Sequence, residues 1–205
     1  VQTCALPISF KAQNMSNNSY PCRGGGEIGR AQVVQAEACG LEPEPAMNPI
    51  LLKPNGAGSS QVIVNGRVWK TLPARGYYAY ADELREHVLN AYEDLARRFD
   101  VIVIEGAGSV SELNLRHADL VNLGLVTRLR APWMLVADIE RGGVFASVLG
   151  TVGLLTAGER GSAERVRTSP SRALATPAAA SGATRSSELA TAGAVKPERW
   201  EDEGA

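Results

Sequence analysis

The sequence has little of what marks several large classes of protein. Basic side chains are not in excess, because 21 Lys and Arg stand against 22 Asp and Glu in 205 residues, whereas a nucleic-acid binder normally carries a basic surplus. No apolar run reaches the roughly 18 residues that a membrane span needs. The N-terminus has neither the basic region nor the long apolar core of a secretory signal. We therefore predict no nucleic-acid partner and no membrane partner.

Cysteine is also scarce, and two familiar catalytic motifs are absent. Cys4, Cys22 and Cys39 form no C-x-x-C pair and are odd in number, so we expect reduced thiols in a cytoplasmic protein. The phosphate-binding motif G-x-x-x-x-G-K-[ST] does not occur, since no Gly precedes any of the four lysines. No nucleophile elbow and no Cys–His pair in a recognisable local context occurs either.

The overall composition, 44% apolar and 21% charged, is typical of a globular domain, but it is not uniform. Residues 159–205 are rich in Ala, Ser and Thr and show no sustained helical or strand period. Such a segment cannot bury enough apolar surface to offset the entropy lost on ordering. We predict a disordered tail there, with one weak Ala-rich helix as the alternative, and a folded region within residues 10–158.

The folded region alternates between helical and strand patterns. Strands of consecutive apolar residues indicate burial on both faces, as in a parallel sheet with helices on each side, so the pattern predicts a doubly wound α/β fold. Asn-Gly supplies the positive φ angles of a type I′ turn. The predicted elements are a helix at Glu27–Cys39 ended by Gly40, a hairpin at Val62–Trp69, a helix at Asp82–Phe99, strands at Val101–Ile104 and Trp133–Ala137, and a helix at Val144–Leu155.

Two acidic residues follow the two buried strands directly. Glu105 leads into Gly106-Ala107-Gly108, and Asp138 leads into a turn that contains Arg141, Gly142 and Gly143. Ligands of open parallel sheets lie beyond the carboxyl ends of the strands, where an acid beside a Gly-rich turn can hold Mg²⁺ next to phosphate oxygens. The alternative is that each acid only caps the segment that follows it.

Polar loops add further candidate residues. The segment Phe10–Ser19 is dense in amides and hydroxyls around Lys11, which suits a phosphate or an amide-bearing ligand; a solvated loop is the alternative. Lys53 follows a short apolar strand and either points into the cleft or lies on the surface. Glu27, after three glycines, either reaches Mg²⁺ or serves only the dipole of the helix that it opens.

These residues lie in long ordered blocks that resemble the N-terminal synthetase domain of the cobyric acid synthase family. The resemblance extends from Phe10 to about Leu155. The matching blocks are FKAQNMSNNSY (Phe10–Tyr20), GGEIGRAQVVQAEACGLEP (Gly25–Pro43), MNPILLKPN (Met47–Asn55), SQVIVNGRVW (Ser60–Trp69), VIVIEGAGSVSELNL (Val101–Leu115) and VADIERGGVFASVLGT (Val136–Thr151).

The resemblance implies a P-loop NTPase fold like that of dethiobiotin synthetase. It implies ATP- and Mg²⁺-dependent amidation of carboxylates of adenosylcobyrinic acid a,c-diamide, a corrinoid, with ammonia released from glutamine in a separate amidotransferase domain. Together with the patterns above it predicts these site residues: Lys11 and Asp138 as catalytic; Asn14, Ser16, Asn17, Asn18, Lys53, Gly106, Gly108, Arg141, Gly142 and Gly143 at substrate or phosphate; and Glu105 and Glu27 at the metal.

The chain departs from the family at both ends. Residues 1–9 match nothing in the family, which begins with a strand and a P-loop, and we expect a foreign leader there. Residues 159–205 replace the expected continuation and resemble a frameshifted translation. We therefore expect residues 10–158 to be a partial synthetase domain, inactive by itself. The alternatives are a non-catalytic module that binds corrinoid or nucleotide, and a partitioning-type ATPase of the same superfamily.

Overall fold

The computed structural model describes residues 7–56, 58–161, 163–169 and 190–195. The strands are β1 (Pro7–Phe10), β2 (Gln13–Met15), β3 (Ser19–Pro21), β4 (Glu27–Gly29), β5 (Ile50–Pro54), β6 (Ser59–Val64), β7 (Arg67–Pro73), β8 (Val101–Glu105), β9 (Trp133–Asp138), β10 (Ala163–Ser169) and β11 (Ala190–Val195). The helices are α1 (Arg30–Ala38), α2 (Ala74–Tyr77), α3 (Ala81–Arg98), α4 (Leu123–Arg128), α5 (Val144–Leu154) and α6 (Ala157–Gly161).

A five-stranded sheet, in the order β1-β8-β11-β9-β10, confirms the α/β class. β1 runs parallel to β8, β9 runs parallel to β10, and β11 is antiparallel to both β8 and β9. The predicted burial of the first apolar strand on both faces is wrong. Ile102 and Ile104 are buried, whereas Val103 is 42% exposed, because α3 packs against β8 while Val103 points to the opposite face.

A second, four-stranded sheet occupies residues 13–73, in the order β2-β5-β6-β7. β2 runs parallel to β5, and the other neighbours are antiparallel. The predicted hairpin is confirmed, since β6 and β7 meet at Asn65 and Gly66, with φ angles of 47° and 79°, as a type I′ turn requires. Instead of the single doubly wound sheet predicted from the sequence, the described residues form two large sheets and a small two-stranded one.

The helix predicted from Glu27 begins three residues later. Residues Glu27–Gly29 form β4, which pairs with β3 in a two-stranded sheet, and α1 begins at Arg30. The end of the helix is as predicted. Gly40 has a φ of 70°, and the amides of Gly40 and Leu41 donate to the carbonyls of Glu37 and Ala36, which is the Schellman arrangement.

The other predicted helices and strands are confirmed within one or two residues. α3 buries Leu84, Val88 and Leu95 along one face, against a core that includes Ile8 and Ile102. α5 follows β9, and Val144 packs with residues of β9 in a second core cluster. Within the described part of the chain, no helix combines the length and the apolar character needed to cross a membrane.

Both terminal segments contribute strands. Pro7, Ile8 and Ser9, which the sequence assigns to a foreign leader, lie in β1, and Ile8 is fully buried. The predicted disordered tail begins in α6, and the backbone of two of its segments forms β10 and β11. At these residues the structure differs from the prediction, because backbone hydrogen bonds to β8 and β9 need no apolar periodicity. Residues 170–189 and 196–205 lie outside the described residues.

Candidate functional site

Lys11 and Glu105 form an ion pair where β1 and β8 end. The parallel register places Phe10 beside Ile104, so the next residue of each strand stands next to the other. Lys11 Nζ lies 2.7 Å from Glu105 Oε1, with the two side chains 13% and 36% exposed. The carboxylate is the more open of the two groups, and it can face a cation while Lys11 faces an anion.

Two further side chains hold the second oxygen of that carboxylate. Gln35 of α1 donates from Nε2 to Glu105 Oε2 over 2.7 Å. Ser9 of β1 in turn donates from Oγ to Gln35 Oε1. Neither residue was predicted from the sequence. These hydrogen bonds link β1, α1 and β8 at one end of the five-stranded sheet.

A second ion pair joins Lys53 of β5 to Glu27 of β4. Lys53 Nζ lies 2.8 Å from Glu27 Oε2 and 3.2 Å from Ser19 Oγ. Burial alone would raise the pKa of the Glu27 carboxyl, but the hydrogen bonds from Lys53 and Ser19 and the charge of Lys53 outweigh it and lower the pKa. Glu27 therefore lies in a strand, paired with a lysine, and not at the start of a helix.

The predicted polar loop divides into inward and outward residues. Asn14 lies in β2 and donates from Nδ2 to Gln32 Oε1 over 2.7 Å. Ser16 Oγ accepts from the Asn18 amide over 3.0 Å, and the Asn18 carbonyl accepts from the Arg30 amide at the start of α1. Asn17 and Asn18 are exposed. The loop therefore contacts α1 while its tip faces solvent.

A buried amide, Asn48, organises the backbone under both ion pairs, and sequence reasoning missed it. Its Nδ2 donates to the carbonyls of Lys11 and Ile50, and its Oδ1 accepts from the amide of Gly29. A side chain at Gly29 would meet Asn14, Gln32 and Asn48, with Gln32 Oε1 at 2.6 Å. A larger residue at this position would therefore displace at least two of these amide side chains.

The Gly-rich turn after Glu105 is fixed at Ala107 by hydrogen bonds to Asn122. Ala107 exchanges two hydrogen bonds with the buried Asn122, through its amide at 3.1 Å and its carbonyl at 2.8 Å. Gly106 is buried, whereas Gly108 is exposed with a φ of 67°. A Cβ at Gly108 would meet nothing within 4 Å, so its backbone is open to an approaching group.

Asp138 and its turn lie apart from the Lys11–Glu105 pair. Asp138 accepts from the Glu140 amide at 3.0 Å and forms an ion pair of 3.4 Å with Arg141. β11 lies between β8 and β9, and its register places Glu105 level with Met134. Asp138 is four residues further along β9, or about 13 Å at ~3.3 Å per residue. Gly142 and Gly143 continue the turn, and Gly143 is the N-cap of α5.

Glu105 suits a magnesium ion that also binds nucleotide phosphates. Such an ion usually takes one or two protein carboxylates together with phosphates and water. Glu105 lies at a strand end with the open backbone of Gly108 nearby in the chain, which fits that donor set. Among residues 7–161 that the structure describes, no three His, Cys, Asp or Glu side chains cluster as a complete metal site. Glu27 offers a carboxylate that already faces Lys53.

Cys22 does not provide a reactive thiol. Its side chain is buried and packs with Ile28 and Val33. Burial, followed by the charges of Glu44 and Glu27, raises the pKa of the thiol above its ordinary value. Because the thiolate is the nucleophilic form, burial and the raised pKa both disfavour reaction at this cysteine.

Comparison with curated proteins gives long and close matches. The chain is 56% identical over 151 residues to the cobyric acid synthase of Syntrophobacter fumaroxidans, which covers 74% of this chain and 29% of that protein. It is 52% identical over 151 residues to the cobyric acid synthase of Dehalococcoides mccartyi strain CBDB1, covering 74% of this chain and 30% of that protein. Over the matched residues, the chain belongs to the cobyric acid synthase family.

A third cobyric acid synthase, from Caldanaerobacter subterraneus subsp. tengcongensis, is 52% identical over 157 residues and covers 77% of this chain. The chain spans about three-tenths of the length of these relatives. No family model matches the chain. No solved structure matches it either. The identification therefore comes from the cobyric acid synthases themselves, while the P-loop NTPase fold is implied only through them.

Proposed function

We propose that this chain carries part of the synthetase chemistry of a cobyric acid synthase. The reaction is the ATP-dependent amidation of carboxylates of adenosylcobyrinic acid a,c-diamide to adenosylcobyric acid in cobalamin biosynthesis, in the cytoplasm. Ammonia comes from glutamine hydrolysed in an amidotransferase domain. The observation that carries the proposal is the Lys11–Glu105 pair, which brings together two sequence blocks of a chain 52–56% identical to cobyric acid synthases.

The pair suits the chemical difficulty of this reaction. Ammonia cannot displace an oxide from a carboxylate, so the carboxylate must first acquire a better leaving group. Bound ATP with Mg²⁺ supplies that group as a phosphate. Lys11 faces the developing negative charge, and preorganised charge of this kind is the main source of stabilisation in such sites. Glu105 provides a carboxylate ligand for the metal.

We assign the remaining predicted residues to supporting roles. Asn14, Ser16, Asn17, Asn18 and Lys53, which we call the polar wall, are assigned to substrate or phosphate. Gly106 and Gly108 follow Glu105 and offer backbone to the same ligands. We keep Asp138 as a catalytic candidate with Arg141, Gly142 and Gly143, and Glu27 as a second metal candidate. Their ion pairs in the structure must open for these roles.

We further propose that these 205 residues do not turn over alone, because they contain no P-loop motif to hold the ATP phosphates. The test measures ATP hydrolysis and glutamine-dependent amidation with the purified chain and with a full-length relative under the same conditions. We expect turnover only from the relative. Comparable rates from both proteins would contradict the claim of inactivity, and a relative that amidates no corrinoid would contradict the proposed reaction.

The chain can bind the corrinoid substrate even if it does not turn it over. Titration of the purified chain with adenosylcobyrinic acid a,c-diamide, followed through the corrin absorbance, measures this directly. Saturable binding that weakens in Lys53→Ala, with the exposed Glu86→Ala as the matched control, would support the polar wall as a substrate surface. Binding equal in both variants would remove Lys53 from it.

A further inference from the structure

We infer that Gln35 is the positioning residue of the Lys11–Glu105 pair, an inference that rests on the proposed function of that pair. Ser9, Gln35, Glu105 and Lys11 form one continuous hydrogen-bonded chain of side chains. The Gln35 amide is the link in the middle: its oxygen accepts from Ser9 and its nitrogen donates to Glu105. It acts through Glu105 and contacts no substrate in this arrangement.

The two ends of the Gln35 amide are not interchangeable here. The Glu105 carboxylate can only accept, so the Gln35 NH₂ group turns toward Glu105 Oε2 at 2.7 Å. The Gln35 oxygen is then left to accept from Ser9 Oγ. The reversed amide would place two oxygens together at Glu105 and lose that contact, although its NH₂ group could still donate to the Ser9 hydroxyl. The carboxylate therefore sets the direction of the Gln35 amide, Ser9 adds a second contact to Gln35, and Gln35 fixes the plane of the carboxylate.

Ser9, Gln35 and Glu105 of this hydrogen-bonded series lie in packed strands and a helix. Ser9 is 9% exposed in β1, Glu105 ends the neighbouring parallel strand, and Gln35 precedes the fully buried Ala36 in α1. Groups held by packed strands and helices are placed more closely than groups on loops. The orientation of Glu105 is therefore set before any ligand arrives.

A neutral amide suits this position better than a second charge. A hydrogen bond to a carboxylate is strong because the acceptor is ionised, yet the glutamine leaves the negative charge of Glu105 intact. When a cation takes Oε1, Gln35 still holds Oε2, and Lys11 is free to turn to an anion. The Gln35 amide thus keeps the Glu105 carboxylate in one orientation while the ion-pair partner of Glu105 changes.

Selective acetylation of lysines tests this role without a metal or turnover. The chain has four lysines, and Lys11 and Lys53 are each paired with a glutamate. The purified chain is treated with a limiting N-hydroxysuccinimide ester, and the acetylation rates at the two lysines are measured by mass spectrometry. Gln35→Met keeps the side-chain length without the amide, Ser9→Ala removes only the outer hydrogen bond, and Glu37→Gln on exposed α1 surface is the control.

We expect Gln35→Met to raise the Lys11 rate relative to Lys53 by about three- to tenfold, as loss of a hydrogen bond to a charged group allows. Ser9→Ala should raise it about twofold, and it replaces Gln35→Met if that variant fails to fold. Glu37→Gln should change nothing. An unchanged ratio in Gln35→Met, or equal acceleration at both lysines, would overturn the positioning role.

Protection by Mg·ATP separates this inference from the proposed function. Even without a P-loop motif, Mg·ATP at high concentration should slow acetylation of Lys11 in the wild-type chain. It should not slow acetylation of Lys70, which stacks on Trp69 and Tyr80 outside the proposed site. Gln35→Met should need about three- to tenfold more nucleotide for the same protection. If the acetylation ratio shifts as expected and no concentration of Mg·ATP protects Lys11, Gln35 still positions the pair. The nucleotide-binding part of the proposed function then fails.

Discussion

At the scale of single residues, neutral amides hold the charged groups of the site in place. Asn48 fixes the backbone on which Lys11 stands, and Gln35 fixes the carboxylate that Lys11 faces. Each amide uses both its donor and its acceptor end. Buried amides with complete hydrogen bonding make an arrangement specific, since a displaced partner leaves a polar group unpaired.

The Lys53–Glu27 pair gives a pH dependence with a definite sign. The folded state lowers the pKa of Glu27 below 4.5, its ordinary value. Stability from the ionised carboxylate is therefore present above that pH and is lost as the pH falls through the folded pKa. Glu27→Gln should lower the free energy of unfolding at pH 7, and the gap to wild type should close as the pH falls below about 4.5.

Urea denaturation at a series of pH values measures this gap, and the exposed Glu86→Gln serves as its control. We expect no comparable pH-dependent gap for Glu86→Gln. A Glu27→Gln gap that is the same at pH 7 and at pH 3 would show that the loss comes from packing and not from the ionised pair.

At the scale of elements, the β6–β7 hairpin supports the segment that carries Glu27. The Gly66 carbonyl accepts from the Glu27 amide at 3.0 Å. A Cβ at Gly66 would lie 2.9 Å from Pro45 Cγ and 3.1 Å from the Glu27 nitrogen. The turn is therefore both a reversal of the chain and a packing contact beside the second ion pair.

Gly66→Ala should destabilise the protein through backbone strain and crowding together. Gly56→Ala is the matched control, because Gly56 also has a positive φ, 64°, but an added Cβ would meet nothing within 4 Å. We expect Gly56→Ala to cost about 1 kcal/mol from strain, and Gly66→Ala about 1–3 kcal/mol more from crowding. Equal losses in urea denaturation would show that the hairpin tip contributes no packing.

Elements with a strong local pattern were predictable from the sequence, and elements defined by distant pairing were not. The period of α3 and the Asn-Gly turn depend on neighbouring residues, and both predictions are confirmed. β4 and β1 exist because they pair with other segments, and neither has a period of its own. The start of α1 was missed for that reason, since Glu27–Gly29 also fits a helical pattern.

The same division applies to the candidate site. Lys11 and Glu105 each have a local signal, a polar loop and a strand end, but 94 residues separate them and only the fold shows their contact. Gln35 and Asn48 carry no motif. The one weak sign in the sequence is that each is a polar residue next to residues expected to be buried, as Gln35 is next to Ala36. The functional roles assigned to Lys11, Glu105, Asp138, Arg141 and the other predicted site residues all remain predictions.

At the scale of the whole molecule, one hydrophobic core joins the two large sheets. It contains Ile8 and Ile102 from the five-stranded sheet, Ile50 and Val64 from the four-stranded sheet, and Leu84 from α3. Surfaces that share one core lose their packing together. The two sheets should therefore unfold as one cooperative unit in spite of their separate hydrogen-bond ladders.

Ile8→Ala tests whether the two sheets unfold cooperatively. Ile8 lies in the segment that the sequence assigns to a foreign leader. Ile8 is fully buried, so the variant should lose about 2–5 kcal/mol of stability. Val103→Ala, on the exposed face of β8, should cost clearly less. Tryptophan fluorescence and far-ultraviolet circular dichroism in urea should give the same midpoint in each variant; two separate transitions would show that the sheets unfold independently.

The pairing of β1 with β8 also sets a delay during synthesis. The register joins Pro7 to Val101, so the ribosome must add 94 more residues before the partner of the first described strand exists. At about 5–20 residues per second that takes roughly 5–20 s. During this time Ile8 and Phe10 have no sheet to enter, and the nascent chain is open to chaperones and to mispairing. The ion pair of Lys11 and Glu105 can form only after this delay.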